Sequence, residues 1–137
     1  MGAVGPYAVN VGDKFEEVRR SSDGELEGFV RRAGDGTFEA RTVFHGLLGN
    51  ARSRDEARAI VHARGLSSLA ERWYWWSRAT ESWSVVLPQE VRAGVARVAV
   101  GYYALPGTPL RVITADDLDR GDLLTLEPPD APVDGLP

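Results

Sequence analysis

Cysteine is absent from the chain, which excludes disulfide staples, thiolate nucleophiles and thiolate metal sites together. Histidine occurs only as His45 and His62. Two imidazoles with no carboxylate fixed beside them make a poor metal site, so neither a metal nor a cofactor is expected. Lysine is reduced to Lys14 among 16 basic residues, a skew that, with abundant Ala, Gly and Val, reads as the coding bias of a GC-rich bacterial genome. No apolar run approaches the roughly 18 residues that cross a bilayer. The stretch from Met1 to Val11 also lacks the basic flank and long apolar core of a signal peptide, so a cytoplasmic protein without membrane contact is expected. A nucleophile elbow, a phosphate loop, a dinucleotide fingerprint and a His-Glu-x-x-His helix are all missing. Catalysis is therefore not expected.

What is present describes an ordinary globular domain. At 137 residues with 43% hydrophobic and 26% charged residues, the chain is long enough to bury a single core and too apolar to stay disordered. The net charge of −4 offers no global attraction to nucleic acid. It is unevenly placed: the chain up to Val112 carries +2, and the remainder from Ile113 carries −6. Any basic patch must lie before that acidic end.

Along the chain, Val9 to Phe15 alternates apolar residues into a Gly-Asp turn and predicts a short first strand. Ser21-Ser22-Asp23-Gly24 is turn chemistry. Two strand-forming runs, Glu25 to Arg32 and Thr37 to His45, flank Ala33-Gly34-Asp35-Gly36, and Asp-Gly between such runs signals a hairpin. Gly46-Leu47-Leu48-Gly49 closes a turn or opens a third short strand. Ser53-Arg54-Asp55-Glu56 is a capping box, so a helix starts there, with Ala57, Ile60, Val61 and Arg64 at three- and four-residue spacing. Gly65 suits the left-handed position just past the helix end. Ser68-Leu69-Ala70-Glu71 repeats the capping pattern and predicts a second helical piece toward Trp73.

After Ala79 the runs Trp83 to Leu87, Gly94 to Ala104, Leu110 to Thr114 and Leu123 to Glu127 predict a four-stranded antiparallel meander or small barrel. Turns are expected at Pro88-Gln89-Glu90, Pro106 to Pro109 and Asp119 to Asp122. The expected fold class is α+β: a hairpin or three-stranded sheet with a capped helix, then the meander. Residues 1–127 form one domain, with 1–72 and 73–127 as possible lobes. Residues 128–137, rich in proline and acidic, form a disordered, solvated tail.

Two constellations carry functional readings. Trp73, Tyr74, Trp75 and Trp76 are consecutive, and neither helix nor strand can turn four neighbouring side chains to one core. With Trp83 nearby, these rings predict an outward aromatic surface for a protein partner or a second copy of the chain. The alternative is nucleic-acid binding through Arg31, Arg32 and Arg41 on the hairpin and Arg52, Arg54, Arg58 and Arg64 around the helix, since guanidinium forks suit phosphate. Three strands followed by a capped helix, with basic residues on the sheet, is similar to the small arm-binding domain at the N-terminus of tyrosine recombinases. The resemblance covers Glu25 to Arg64 and implies a sheet face that reads DNA. Glu25, Glu27, Glu39, Asp55 and Glu56 interleave with these arginines, so protein contact is the first reading and nucleic acid the second. The acidic stretch from Asp116 to Asp122 imitates a calcium loop without its ligand spacing and reads as a surface turn.

Overall fold

The Asp-Gly hairpin organises the first half of the molecule. In the computed structural model, which describes residues 15–137, Leu26–Arg32 and Phe38–Arg41 pair as antiparallel strands, Arg31 opposite Glu39. Gly36 has φ +87° in the connection, a conformation that glycine adopts without strain. We number the strands β1 (Glu16–Arg19), β2 (Leu26–Arg32), β3 (Phe38–Arg41), β4 (Leu47–Ala51), β5 (Trp73–Ser77), β6 (Ser82–Arg92), β7 (Val95–Val100), β8 (Leu110–Thr114), β9 (Leu123–Thr125) and β10 (Val133–Asp134). The helices are α1 (Arg54–Arg64) and α2 (Ala115–Asp119), and a 3-10 turn occupies Ser67–Ala70. The strand expected at Val9 to Phe15 lies outside the described residues except for Phe15.

The strands form a single curled sheet, a half-barrel in the order β1-β2-β3-β4-β9-β5-β6-β7-β8, with β10 added beside β6. The molecule is thus predominantly β with some helix, which corrects the expected separation into a helical α+β half and a four-stranded meander. The meander is β5 to β8. Leu123 to Thr125, expected as its last strand, instead lies between β4 and β5, parallel to the first and antiparallel to the second. Short strands of this kind are placed by long-range pairing that no local pattern encodes.

Three local expectations are corrected as well. The helical piece begun at Ser67 ends at Ala70, and Trp73 to Ser77 is a strand, because alternating sides of a sheet accommodate consecutive aromatic rings that a helix could not bury. Pro88-Gln89-Glu90 is no turn but lies inside β6, where the register slips between Pro88 and Glu90; proline is tolerated in a strand at such a bulge. Gly65 has φ −54°, right-handed rather than left-handed. The acidic end also has more structure than a turn: Thr114 and Asp117 form a reciprocal capping box on α2.

Directly opposed residues share a face of the sheet, so the register sorts the side chains. Val18, Val30, Ala40, Trp73, Val86, Ala96, Ile113 and Leu124 face inward and are all buried. Ala57 and Val61 of α1 close this core against β2, β3 and β4. The segment after Pro128 is exposed over most of its length, but Val133 and Asp134 pair in parallel with Trp83 and Ser84. Tyr102 donates its backbone N–H to the carbonyl of Gly135 at 3.0 Å, so the chain end takes the edge of β6 that β7 vacates. No helix among the described residues is long and apolar enough to cross a membrane.

Candidate interaction surface

The strand at Trp73 to Ser77 separates its four rings as alternation requires. Trp73 is 0% exposed, its indole Nε1 donating to the carbonyl of Ser68 at 3.0 Å, with Phe44 edge-on at 5.2 Å between ring centroids. Trp75 points to the same side, half-buried, and donates Nε1 to Asp122 Oδ2 at 3.1 Å. Both are explained by packing. Tyr74 and Trp76 point the other way and are half-buried.

On that outer face the register builds two rows. Trp76 stands directly opposite Trp83 on β6 and opposite Leu123 on β9. The parallel row runs through Phe29, Arg41, Leu47, Thr125, Tyr74 and Val85, one residue from each of six adjacent strands. Leu123 is 49% exposed. A shallow cavity of about 310 Å³ adjoins the rows, lined by Leu47, Trp83, Thr125 and the chain-end residues Glu127 to Pro129. Further along the same face Leu110 and Val112 of the edge strand β8 are also exposed. Apolar side chains therefore recur across the outer side of β9, β5 and β6 and again at the β8 edge.

The arginines are not gathered in the same way. Arg31 and Arg41 lie on the outer face, and both donate Nε to one oxygen, Oε1 of Glu39, at 3.0 Å. Burial alone would raise the Glu39 pKa, but the hydrogen bond and charge of Arg41 and the charge of Arg31 outweigh it and hold the carboxyl below its ordinary range. Arg54 and Arg58 are on α1, across the sheet, where both pair with Glu16 at 3.2 and 2.8 Å. Arg32 and Arg52 are exposed, and Arg64 reaches Glu71 at 3.6 Å. Four of the seven candidate cations thus meet two carboxylates on opposite sides of the sheet, and no continuous basic stripe results among the described residues.

Two polar clusters escaped the sequence reading. Glu27 is buried and meets Nδ1 of His62 at 2.5 Å. Asp122, also buried, accepts from the backbone N–H of Arg78 at 3.0 Å and from Arg78 Nε at 2.8 Å in addition to Trp75. These pairs join residues more than thirty positions apart, and no spacing in the chain signals them. The Arg31–Glu39 contact was accessible, because it follows from the hairpin register once the Asp-Gly turn is placed. Among the described residues no group of three or more His, Asp and Glu side chains is arranged to hold a metal ion. Compared with protein-family models, curated proteins and solved structures, the chain matches none.

Proposed function

We propose that this chain is a non-catalytic protein-interaction module whose contact surface is the outward row of Trp76, Trp83 and Leu123, with Tyr74 beside it. The observation that carries the reading is the direct opposition of the two indoles across β5 and β6, with a half-exposed leucine completing the row on β9. Tryptophan and tyrosine are the residues that most often anchor an interface, since a rigid ring removes much apolar area from water at little entropic cost. A second copy of the chain is the first partner to test, since both sheet edges, β1 and β8, lack a neighbouring strand among the described residues. Nucleic acid is the weaker reading because the outer-face arginines share Glu39 and form no continuous basic stripe with the others among the described residues.

Sedimentation across a range of protein concentrations tests this. The expected result is association that changes little with salt and weakens by roughly thirtyfold or more in Trp76→Ala, the scale of an interface hot spot. Leu123→Arg, which alters only the exposed end of the row, gives the same direction without removing a ring. A strict monomer at every concentration overturns self-association. Binding to mixed DNA or RNA that falls steeply with salt and survives both substitutions would put the arginines in place of the aromatic row.

A further inference from the structure

A second concavity opens on the same outer face, at the β2–β4 end of the sheet and under α2. Its volume is about 220 Å³, and Phe15, Arg31, Glu39, Arg41, His45 and Asp119 carry its chemistry. This is below the roughly 300 Å³ at which drug-sized sites begin, so it suits a small molecule. One wall is an aromatic cluster: the His45 ring is tilted against Phe15 at 4.1 Å and edge-on to Phe29 at 4.9 Å between ring centroids, and the Arg31 guanidinium sits 4.8 Å over the Phe15 ring. Leu47 and Leu118 supply apolar surface.

The wall is held in place by its backbone. His45 has φ +69°, a conformation uncommon for residues other than glycine, and the turn around it is tied at three points. Arg41 Nη1 donates to the His45 carbonyl at 2.7 Å, the N–H of His45 donates to the Thr42 carbonyl at 2.9 Å, and the N–H of Gly46 donates to Thr42 Oγ1 at 3.0 Å. The ring is therefore presented by a fixed turn.

Charge selects the ligand. Arg31 and Arg41 share the single carboxylate of Glu39, which leaves one positive charge over. Arg31 makes no other hydrogen bond among the described residues, so the far end of its fork is open. Opposite lies Asp119. Its neighbours Asp116, Asp117 and Asp122 pair with Arg120 or Arg78, whereas Asp119 is exposed and has no ion pair among the described residues. Burial first, then the charges of Arg41 and Arg31, hold the His45 pKa below its ordinary value against the opposing charge of Asp119. The imidazole is thus neutral at pH 7, and the cavity has separated positive and negative walls that cancel. A simple anion or cation would gain from one wall what it lost to the other. A molecule carrying both charges gains from each.

We propose that this cavity binds a small zwitterion of the free amino-acid type: its carboxylate on the guanidinium of Arg31 beside Arg41, its ammonium on Asp119, and its side chain against Phe15, Leu47 and Leu118. The cavity adjoins the tryptophan row and shares Leu123 with it, but neither tryptophan lines it and its test does not depend on that reading. The probes are L-leucine and L-phenylalanine, with 4-methylpentanoate and isopentylamine as the leucine analogues lacking the ammonium and the carboxylate. Calorimetry and amide chemical-shift titration are run at low ionic strength. Saturable binding of an amino acid is expected, with shifts at His45 and its neighbours and with each analogue at least about tenfold weaker, as loss of one charge-assisted contact implies. Arg31→Gln and Asp119→Asn should each weaken binding by a similar factor while near-ultraviolet circular dichroism shows the fold intact; Arg41 is left alone because it ties down the His45 turn. No saturable binding of either amino acid overturns the proposal. So does 4-methylpentanoate binding as tightly as leucine with no effect of Asp119→Asn.

Discussion

Gly65 has backbone angles that alanine adopts freely, φ −54° and ψ −51°. On local grounds alone, glycine there should be replaceable with a gain of about 0.4–1 kcal/mol from the stiffer unfolded chain. Packing reverses the sign. A Cβ at this position would stand 2.4 Å from the Glu27 carbonyl oxygen and 2.6 Å from that of Val61, and both are backbone atoms that cannot swing aside. Gly65→Ala is therefore expected to destabilise the fold by about 1–3 kcal/mol, the usual range for forcing extra volume into a packed site, read as a lower urea midpoint at unchanged slope. The glycine at the end of the α1 pattern was legible in the sequence, but the reason for it was not. A left-handed cap is a local device that a sequence can announce, whereas close approach of β2 to the helix end exists only once the sheet is assembled. His62 teaches the same lesson, because its bond to the buried Glu27 joins residues 35 positions apart and no spacing in the chain announces it.

Elements with local instructions were the readable ones. Ser53 accepts from the backbone N–H of Glu56 at 3.1 Å, and its hydroxyl contacts Glu56 Oε1 at 3.2 Å, so α1 begins where the capping box said it would. Ala57 and Val61 of its expected stripe are buried. Ser53→Ala should cost about 1 kcal/mol, and Ser53→Asp, which restores the acceptor, should return most of it. Thermal melts measure the loss, and faster amide exchange in the first turn of α1 assigns it to the helix end. The Asp35-Gly36 hairpin was read for the same reason. Elements whose partners are remote were misjudged: Pro88-Gln89-Glu90 looks like a turn by composition and continues as a bulged strand because β7 supplies pairing on both sides of it. Of the interaction surface, the sequence could say that consecutive rings must diverge. It could not say that Trp76 would meet Trp83 and Leu123, because that row needs β9 inserted beside β5.

At the scale of the whole molecule, the curled sheet is held together in part by titratable groups that the fold has taken partly out of water. β9 enters between β4 and β5, and Asp122, the residue before it, is tied to Trp75 and Arg78. Burial alone would raise the Asp122 pKa, but the backbone and side-chain hydrogen bonds from Arg78 and the one from Trp75 overcome it and hold the group below its ordinary 3.8. Glu39 is likewise held below 4.5, and His45 is held below 6.5 by burial and by Arg41 and Arg31. All three shifts have one sign, because in each case the unfolded chain takes up its proton at a higher pH than the folded one. Stability therefore falls on acidification and has no counterpart loss on the alkaline side from these groups. The order follows from the ordinary values. Below 6.5 the unfolded state gains protons at His45 while the folded state resists, giving a first decline that levels off once the folded imidazole also titrates. Below about 4.5 and then 3.8 the contributions of Glu39 and Asp122 are lost as each is protonated in the folded state. Urea midpoints measured from pH 8 down to pH 3 should show both declines. His45→Asn, which keeps a residue tolerant of positive φ, should abolish the first and leave the second. Asp122→Asn should lower the midpoint at pH 7 and flatten the acid limb, whereas a protein equally stable at pH 7 and pH 3 would contradict the role given to these contacts in holding the sheet together.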